Sequence, residues 1–240
     1  MQESVVTSTG VKISIRHKRK QKNTSIIIAH GFFQSKETQT FRKIEDELLD
    51  QFDIISMDFR GHGKSDGVFT FSAYEKEDLK AVVDYAREHY QKVGVLGFSY
   101  GGSIALIEQA EFKNIDSLVC VSSPMASEKI EFKWWTSGAI KLGLKGLERG
   151  AGVRPGNPYL KKIRPIDVVH DISPAPVFFI HGDQDPTVDH SHSQQLYKTA
   201  REPKKLKIFQ RGSHAEELYR KYPEAFIQDV VEWFKVTLSN

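Results

Sequence analysis

The chain has one cysteine among 240 residues, and that scarcity removes a class of chemistry. A lone cysteine excludes an internal disulfide framework and any site built from several thiolates. Cys120 stands within the apolar run Leu118 to Val121, where a buried core thiol is expected rather than a reactive one. No window approaches the ~20 apolar residues of a membrane span, so no stable membrane anchor is expected. Net charge is also small: 34 basic against 31 acidic residues leaves +3, too little to imply a nucleic-acid partner. The opening residues Met1-Gln2-Glu3-Ser4 carry neither the basic nor the apolar region of a signal peptide, and a cytoplasmic location is the expectation. Internal repeats and low-complexity tracts are absent.

What remains is an ordinary globular composition, 39% apolar and 27% charged, long enough for one domain over residues 1–240. Val5 to Thr9 and Val11 to Arg16 alternate like strands around Gly10. The run Arg16 to Lys22 reads as a solvated basic turn. Ser25 to Ala29, Phe52 to Met57, Val93 to Leu96, Leu118 to Val121, Val177 to Ile180 and Leu206 to Phe209 read as further strands. Phe41 to Leu49 reads as helix. Ser72-Ala73-Tyr74-Glu75 has the pattern of a capping box opening a helix to about Tyr90. A final helix from about Pro223 to Leu238 places Phe226, Val230, Trp233 and Phe234 on one face. Strands alternating with helices define an α/β protein: a mostly parallel sheet, antiparallel at its start, with helices on both faces. Residues 125–171 interrupt the alternation with an unusually long connection, read as a small cap over the carboxyl ends of the strands.

The residues with a chemical signature lie at strand ends. Gly97-Phe98-Ser99-Tyr100-Gly101, followed by Gly102, joins the strand at Val93 to Leu96 to a helical stretch over Ser103 to Glu111. Strand, Gly-x-Ser-x-Gly and helix together form a nucleophile elbow, in which small residues let the serine adopt a strained turn with its hydroxyl exposed. Such a serine needs a base, an orienter for the base and donors for an oxyanion. The base candidate among nine histidines is His214, just past the last strand. His30 and His181 precede glycines at strand ends and read as packing or turn residues; His190 and His192 read as surface residues at a helix start. The orienter is sought among Asp183, Asp185 and Asp189. Asp185 lies beyond the turn, where its carboxylate can meet the far nitrogen of His214, whereas Asp183 is expected to bind loop amides. Oxyanion donors are expected from the backbone N–H groups of Tyr100 and Phe32.

These motifs resemble the α/β-hydrolase family. The resemblance runs through His30-Gly31-Phe32, Asp58 to Ser65, Gly97 to Gly102, His181 to Val188 and Gly212-Ser213-His214, and so covers nearly the whole chain. It implies an α/β-hydrolase fold and supports Ser99, Asp185 and His214 as a triad, with Arg60 and His62 as turn and packing residues. Size and the His-Gly-Phe loop are similar to small bacterial carboxylesterases, including cinnamoyl or feruloyl esterases, and to monoacylglycerol lipases. Tyr100 departs from the glutamine that cinnamoyl esterases often carry after the serine.

Between Met125 and His170, nine Lys or Arg face four Asp or Glu, which reads as a solvated outer face. Phe33, Trp134 and Trp135 are candidates to line the substrate pocket, the tryptophans equally as anchors of the cap. The expected activity is hydrolysis of a small-molecule carboxylic ester through an acyl-enzyme, with neither metal nor organic cofactor, by a monomer or homodimer. The rivals are the same machinery acting on a thioester, amide or peptide, and a non-catalytic binding module on the same scaffold.

Overall fold

The computed structural model describes residues 2–126 and 152–239. Eight strands form one sheet: β1 Gln2–Val6, β2 Lys12–Lys18, β3 Thr24–Ala29, β4 Asp53–Met57, β5 Lys92–Phe98, β6 Ser117–Val121, β7 Val177–Gly182 and β8 Lys204–Phe209. Their spatial order is β1-β2-β4-β3-β5-β6-β7-β8. The β1–β2 and β2–β4 pairs are antiparallel, and every pair from β4–β3 onward is parallel. The helices are α1 Gln39–Leu48, α2 Glu75–Arg87, α3 Tyr100–Phe112, α4 Pro165–Val168, α5 Ser191–Thr199, α6 Glu216–Lys221 and α7 Pro223–Leu238. None among the described residues is long and apolar enough to cross a membrane.

The central strands are apolar at successive positions because both faces of the sheet are covered. Ile27 and Ala29 of β3 and Val93 and Val95 of β5 pack with Leu79, Val82 and Val83 of α2 and with Ile104 to Ile107 of α3. Their alternates Ile26, Ile28, Leu96 and Phe98 pack with Phe41, Ile44 and Leu48 of α1 and with Phe226, Val230 and Phe234 of α7. The i, i+3, i+7 spacing in α1 is the apolar stripe of a helix with one face on the sheet. In α3 the residues from Gly101 to Gln109 are all buried, so the helix after Ser99 is clamped on every side.

Local details differ from the expectations. The run from Arg16 to Lys22 is no free basic turn: β2 continues to Lys18, Arg16 pairs with Glu37 and Glu45, Lys18 pairs with Glu45 and Asp46, and His17 is buried. The carboxylates of the 37–46 segment neutralise this edge. The helix expected to open at Ser72 starts at Glu75 with no side-chain cap. Glu75 still reaches back to the Ser72 N–H at 3.0 Å, but the Thr70 hydroxyl, not that of Ser72, accepts the Tyr74 N–H at 3.1 Å. Cys120 is fully buried, and burial pushes its thiol pKa well above the ordinary value, which keeps it protonated.

Candidate active site

The site lies where the chain direction reverses across the sheet. From β3 the connection through α1 leads to β4 on one side, and the connection through α2 returns past β3 to β5 on the other. The carboxyl ends of adjacent parallel strands diverge there, and the loops leaving them bound a crevice. Ala29 pairs with Gly97, so the loop at Gly31 and the turn at Ser99 leave neighbouring strand ends at the same level.

Ser99 occupies a left-handed conformation, φ 49° and ψ −112°. For a non-glycine residue this costs about 1–3 kcal/mol and persists only where the surroundings impose it. Here the Ser99 N–H donates to the Val121 carbonyl at 2.7 Å, and its carbonyl accepts from Gly102 at 3.1 Å. A Cβ on Gly97 would stand 2.5 Å from the Gly102 Cα, which is the crowding expected inside the elbow. Gly101 is constrained from elsewhere: a Cβ there would lie 2.3 Å from the Ala29 carbonyl oxygen of β3. The glycine therefore lets α3 start against β3, and the elbow is pinned to the sheet rather than merely folded on itself.

A second close approach assembles the other half. A Cβ on Gly182 at the end of β7 would be 2.2 Å from the Gly212 carbonyl carbon, and the Gln184 N–H donates to the Gly212 carbonyl at 2.9 Å. The absent side chain lets the loops after β7 and β8 touch, bringing together residues 29 positions apart. The His214 Nδ1–H donates to Asp185 Oδ2 at 2.6 Å, and His214 Nε2 faces Ser99 Oγ at 3.0 Å. With its proton held on Nδ1 by the carboxylate, the ring presents the Nε2 lone pair to the serine hydroxyl.

Asp185 has all its acceptor positions engaged. Oδ1 takes the N–H groups of Thr187 at 2.8 Å and Val188 at 2.9 Å, and Oδ2 also lies 3.1 Å from His181 Nε2. Burial alone would raise its pKa, but the charge and hydrogen bonds of His214 and His181 outweigh burial and hold it well below the ordinary carboxylate value. The loop amides expected for Asp183 thus belong to Asp185, and Asp183 Oδ1 is buried without a hydrogen-bond partner among the described residues. Asp189 instead accepts the Ser191 N–H at 2.9 Å beside the start of α5.

Two features had no sequence signal. Ala215, next to His214, repeats the left-handed geometry of Ser99 with φ 45° and ψ −116°. Its N–H donates to the buried Ser122 hydroxyl at 3.0 Å, so Ser122 at the end of β6 holds the loop that carries His214. His192 is not a surface residue: it is buried, and its Nδ1 accepts the Met125 N–H at 3.1 Å. The polarity of histidine concealed this burial, because α5 packs that face against the segment after β6.

The remaining histidines at strand ends are structural. His30 donates from Nδ1 to the Gly31 carbonyl at 2.7 Å and accepts the Phe59 N–H at Nε2. His181 bridges Ser193 Oγ and the Val188 carbonyl. Arg60 grips Asp78 through Nε and Nη2, and His62 Nδ1–H donates to the Arg60 carbonyl at 3.0 Å.

Ser99 and His214 open into a pocket of about 530 Å³ whose walls include Phe32, Phe33, Phe69, Phe71, Tyr100 and Val188. Phe69 lies 5.1 Å from Phe32, 4.6 Å from Phe71 and 5.2 Å from Tyr100, ring centre to ring centre, which forms a continuous aromatic wall. The N–H groups of Phe32 and Tyr100 make no hydrogen bond to the described residues, and Tyr100 is the first residue of α3, where helix amides are unpaired. Trp134 and Trp135, with most of the expected cap, fall in 127–151, outside the described residues. Beyond it, residues 153–156 run beside the 59–69 loop, with bridges His62–Val153 and Phe69–Pro155. Among the described residues no group of His, Cys, Asp or Glu side chains is placed to hold a metal ion.

Sheet order, elbow and converging loops define the α/β-hydrolase fold, and the chain is an α/β-hydrolase-fold protein. The family model for the alpha/beta hydrolase fold matches residues 24–139. Along 86% of its length the chain is 27% identical to the uncharacterized protein YqkD of Bacillus subtilis (strain 168), and it spans 72% and 62% of the first two curated relatives it matches. The Pyrococcus furiosus esterase Pf2001 is similar in structure, with a TM-score of 0.82 at 24% identity over 99% of this chain and 92% of that one. Est1E of Butyrivibrio proteoclasticus, solved with ferulic acid bound, superposes with a TM-score of 0.74 at 22% identity, over 99% of this chain and all of that one.

Proposed function

We propose that the protein is a serine hydrolase that cleaves carboxylic esters through an acyl-enzyme. The observation that carries this reading is the hydrogen-bonded chain Asp185–His214–Ser99 opening into an apolar pocket. In the first half-reaction Ser99 Oγ attacks the ester carbonyl carbon while His214 Nε2 takes its proton. Asp185 keeps the other ring proton on Nδ1 and stabilises the imidazolium. Negative charge on the carbonyl oxygen is met by the N–H groups of Phe32 and Tyr100, the latter at the positive end of α3. Collapse of the tetrahedral intermediate expels the alcohol, which leaves with the proton from His214. Water, deprotonated by the same imidazole, then attacks the acyl carbonyl and releases acid and free Ser99. Similarity to Pf2001 and Est1E supports the hydrolytic part of this reading, and the aromatic wall suits an apolar or aromatic ester.

The test is covalent labelling with a fluorophosphonate together with hydrolysis of p-nitrophenyl esters. Wild type is expected to label once and turn over, and Ser99→Ala to do neither while remaining folded. A folded wild type that neither labels nor hydrolyses any of the esters overturns the proposal.

A further inference from the structure

The pocket has one feature that ester cleavage does not require. Among the described residues that line it, Lys162 is the only lysine or arginine, and it stands among Phe71, Ile163 and Pro165. Its ammonium lies 5.3 Å from the centre of the Phe71 ring. No carboxylate among the described residues is within ion-pair distance of it, although its neighbour Arg164 is paired with Asp167. The one carboxylate among the described lining residues, Glu216, follows His214 by two positions and has a partner of its own.

The platform under Lys162 is built with some strain. Phe71 and Ser72 have φ of 56° and 80°, a conformation that non-glycine residues adopt only when held there. Glu75 holds it by accepting the N–H groups of Thr70 at 2.6 Å and Ser72 at 3.0 Å and the Thr70 hydroxyl at 2.9 Å. The Tyr100 hydroxyl accepts the same Ser72 N–H at 3.1 Å, so the loop is tied to the residue next to Ser99. The aromatic face is therefore fixed relative to the elbow, and the ammonium lies against it. Lys162 is half-buried beside an apolar wall, with no carboxylate among the described residues at ion-pair distance, so an anion entering the pocket finds an ammonium to pair with.

Resting on the ester-hydrolase reading, we propose that Lys162 anchors an anion of the substrate: the preferred ester has an apolar or aromatic body and a carboxylate remote from the scissile bond. The body lies along Phe32, Phe69 and Phe71, and the carboxylate meets Lys162 while the ester carbonyl is at Ser99. Such a group adds binding shared by ground and transition states, so it lowers KM more than it raises kcat.

The experiment uses mono-p-nitrophenyl esters of α,ω-dicarboxylic acids from adipic to sebacic, and a second series with the carboxylate on the alcohol side. Each ester is compared with its uncharged carboxamide counterpart. In at least one series kcat/KM for the carboxylate is expected to exceed that of the carboxamide by about tenfold at low salt, mostly through KM, and the advantage shrinks as salt rises. The ratio is expected to fall to about one in Lys162→Met and to stay raised in Lys162→Arg, which keeps the charge. A ratio near one in both wild-type series, or one unchanged in Lys162→Met, overturns the proposal. A binding arm separates this failure from failure of the hydrolase reading. The monobenzylamides of the same diacids and their uncharged diamides are titrated calorimetrically into Ser99→Ala and into Ser99→Ala/Lys162→Met. Tighter binding of the acid that depends on Lys162 supports the anchor even if no ester is turned over; equal binding of acid and diamide overturns it.

Discussion

Replacing Asp185 by asparagine preserves the shape of the carboxylate and removes its charge, so the geometry around it sets the outcome. One oxygen accepts two backbone amides, from Thr187 at 2.8 Å and Val188 at 2.9 Å; the other accepts His214 Nδ1–H at 2.6 Å. An asparagine can satisfy the two amides only by keeping its carbonyl oxygen toward them. Its NH2 group then faces His214 Nδ1, and two donors cannot share that contact. The imidazole must move its proton to Nε2, which is aimed at Ser99 3.0 Å away, and the serine is left without a base. The opposite amide orientation sets the NH2 against the Thr187 and Val188 N–H groups, leaving buried donors unpaired at about 1–3 kcal/mol each, so it does not rescue the site. In a wrong-tautomer variant of this kind kcat falls by about 10⁴, or roughly 5.5 kcal/mol of transition-state stabilisation. The assay is p-nitrophenyl ester hydrolysis under saturating conditions, with circular dichroism and a thermal melt to show that the variant is folded. Asp183→Asn, one of whose carboxylate oxygens is buried without a partner, should stay within a few-fold of wild type. A folded Asp185→Asn variant within tenfold of wild type would refute the assignment of Asp185 as the orienter.

Ser122→Ala removes the acceptor of the Ala215 N–H in the loop carrying His214. Stability should fall by about 1–2 kcal/mol and kcat by about tenfold with little change in KM; an unchanged kcat would show that the loop holds its own geometry. Acid should destabilise the fold through two buried histidines. Burial, assisted by neighbouring His30, pushes His62 down to about 3, and burial with Arg19 pushes His17 down to about 4, both from the ordinary 6.5. Between those values and 6.5 the unfolded chain holds the protons and the native protein does not, so stability is full above 6.5 and falls as pH drops toward 3–4, by at most about 1.4 kcal/mol per pH unit per histidine. Urea melts of His62→Gln should show a shallower dependence than wild type over that range, and an identical slope would rule out His62 as a contributor.

Much of the architecture was legible because its causes are local. The solid β-branched run ahead of Ala29 suits a strand covered on both faces, and the structure divides its isoleucines between the two sides of the sheet. The glycines around Ser99 marked a forced turn. Other positions were opaque because their setting comes from distant chain. His192 looks like a surface residue until α5 packs against Met125, and the run at Arg16 looks like a free turn until Glu37, Glu45 and Asp46 arrive beside it.

The sequence alone determined the alternation of strands and helices, the sharp turn at Ser99 and a chain order of serine, acid and histidine, since periodicity and backbone sterics act over a few residues. The sequence also favoured Asp185 over Asp183 as the group meeting His214, but tertiary structure decided how that carboxylate is held. The close approach of Gly182 and Gly212 sets the loop after β7 against the loop carrying His214, and the Thr187 and Val188 amides go to Asp185, not to Asp183. Tertiary structure likewise decided that Lys162 lies over Phe71, because that contact joins residues 71 and 162, whose meeting depends on the packing of the whole sheet and not on any local preference.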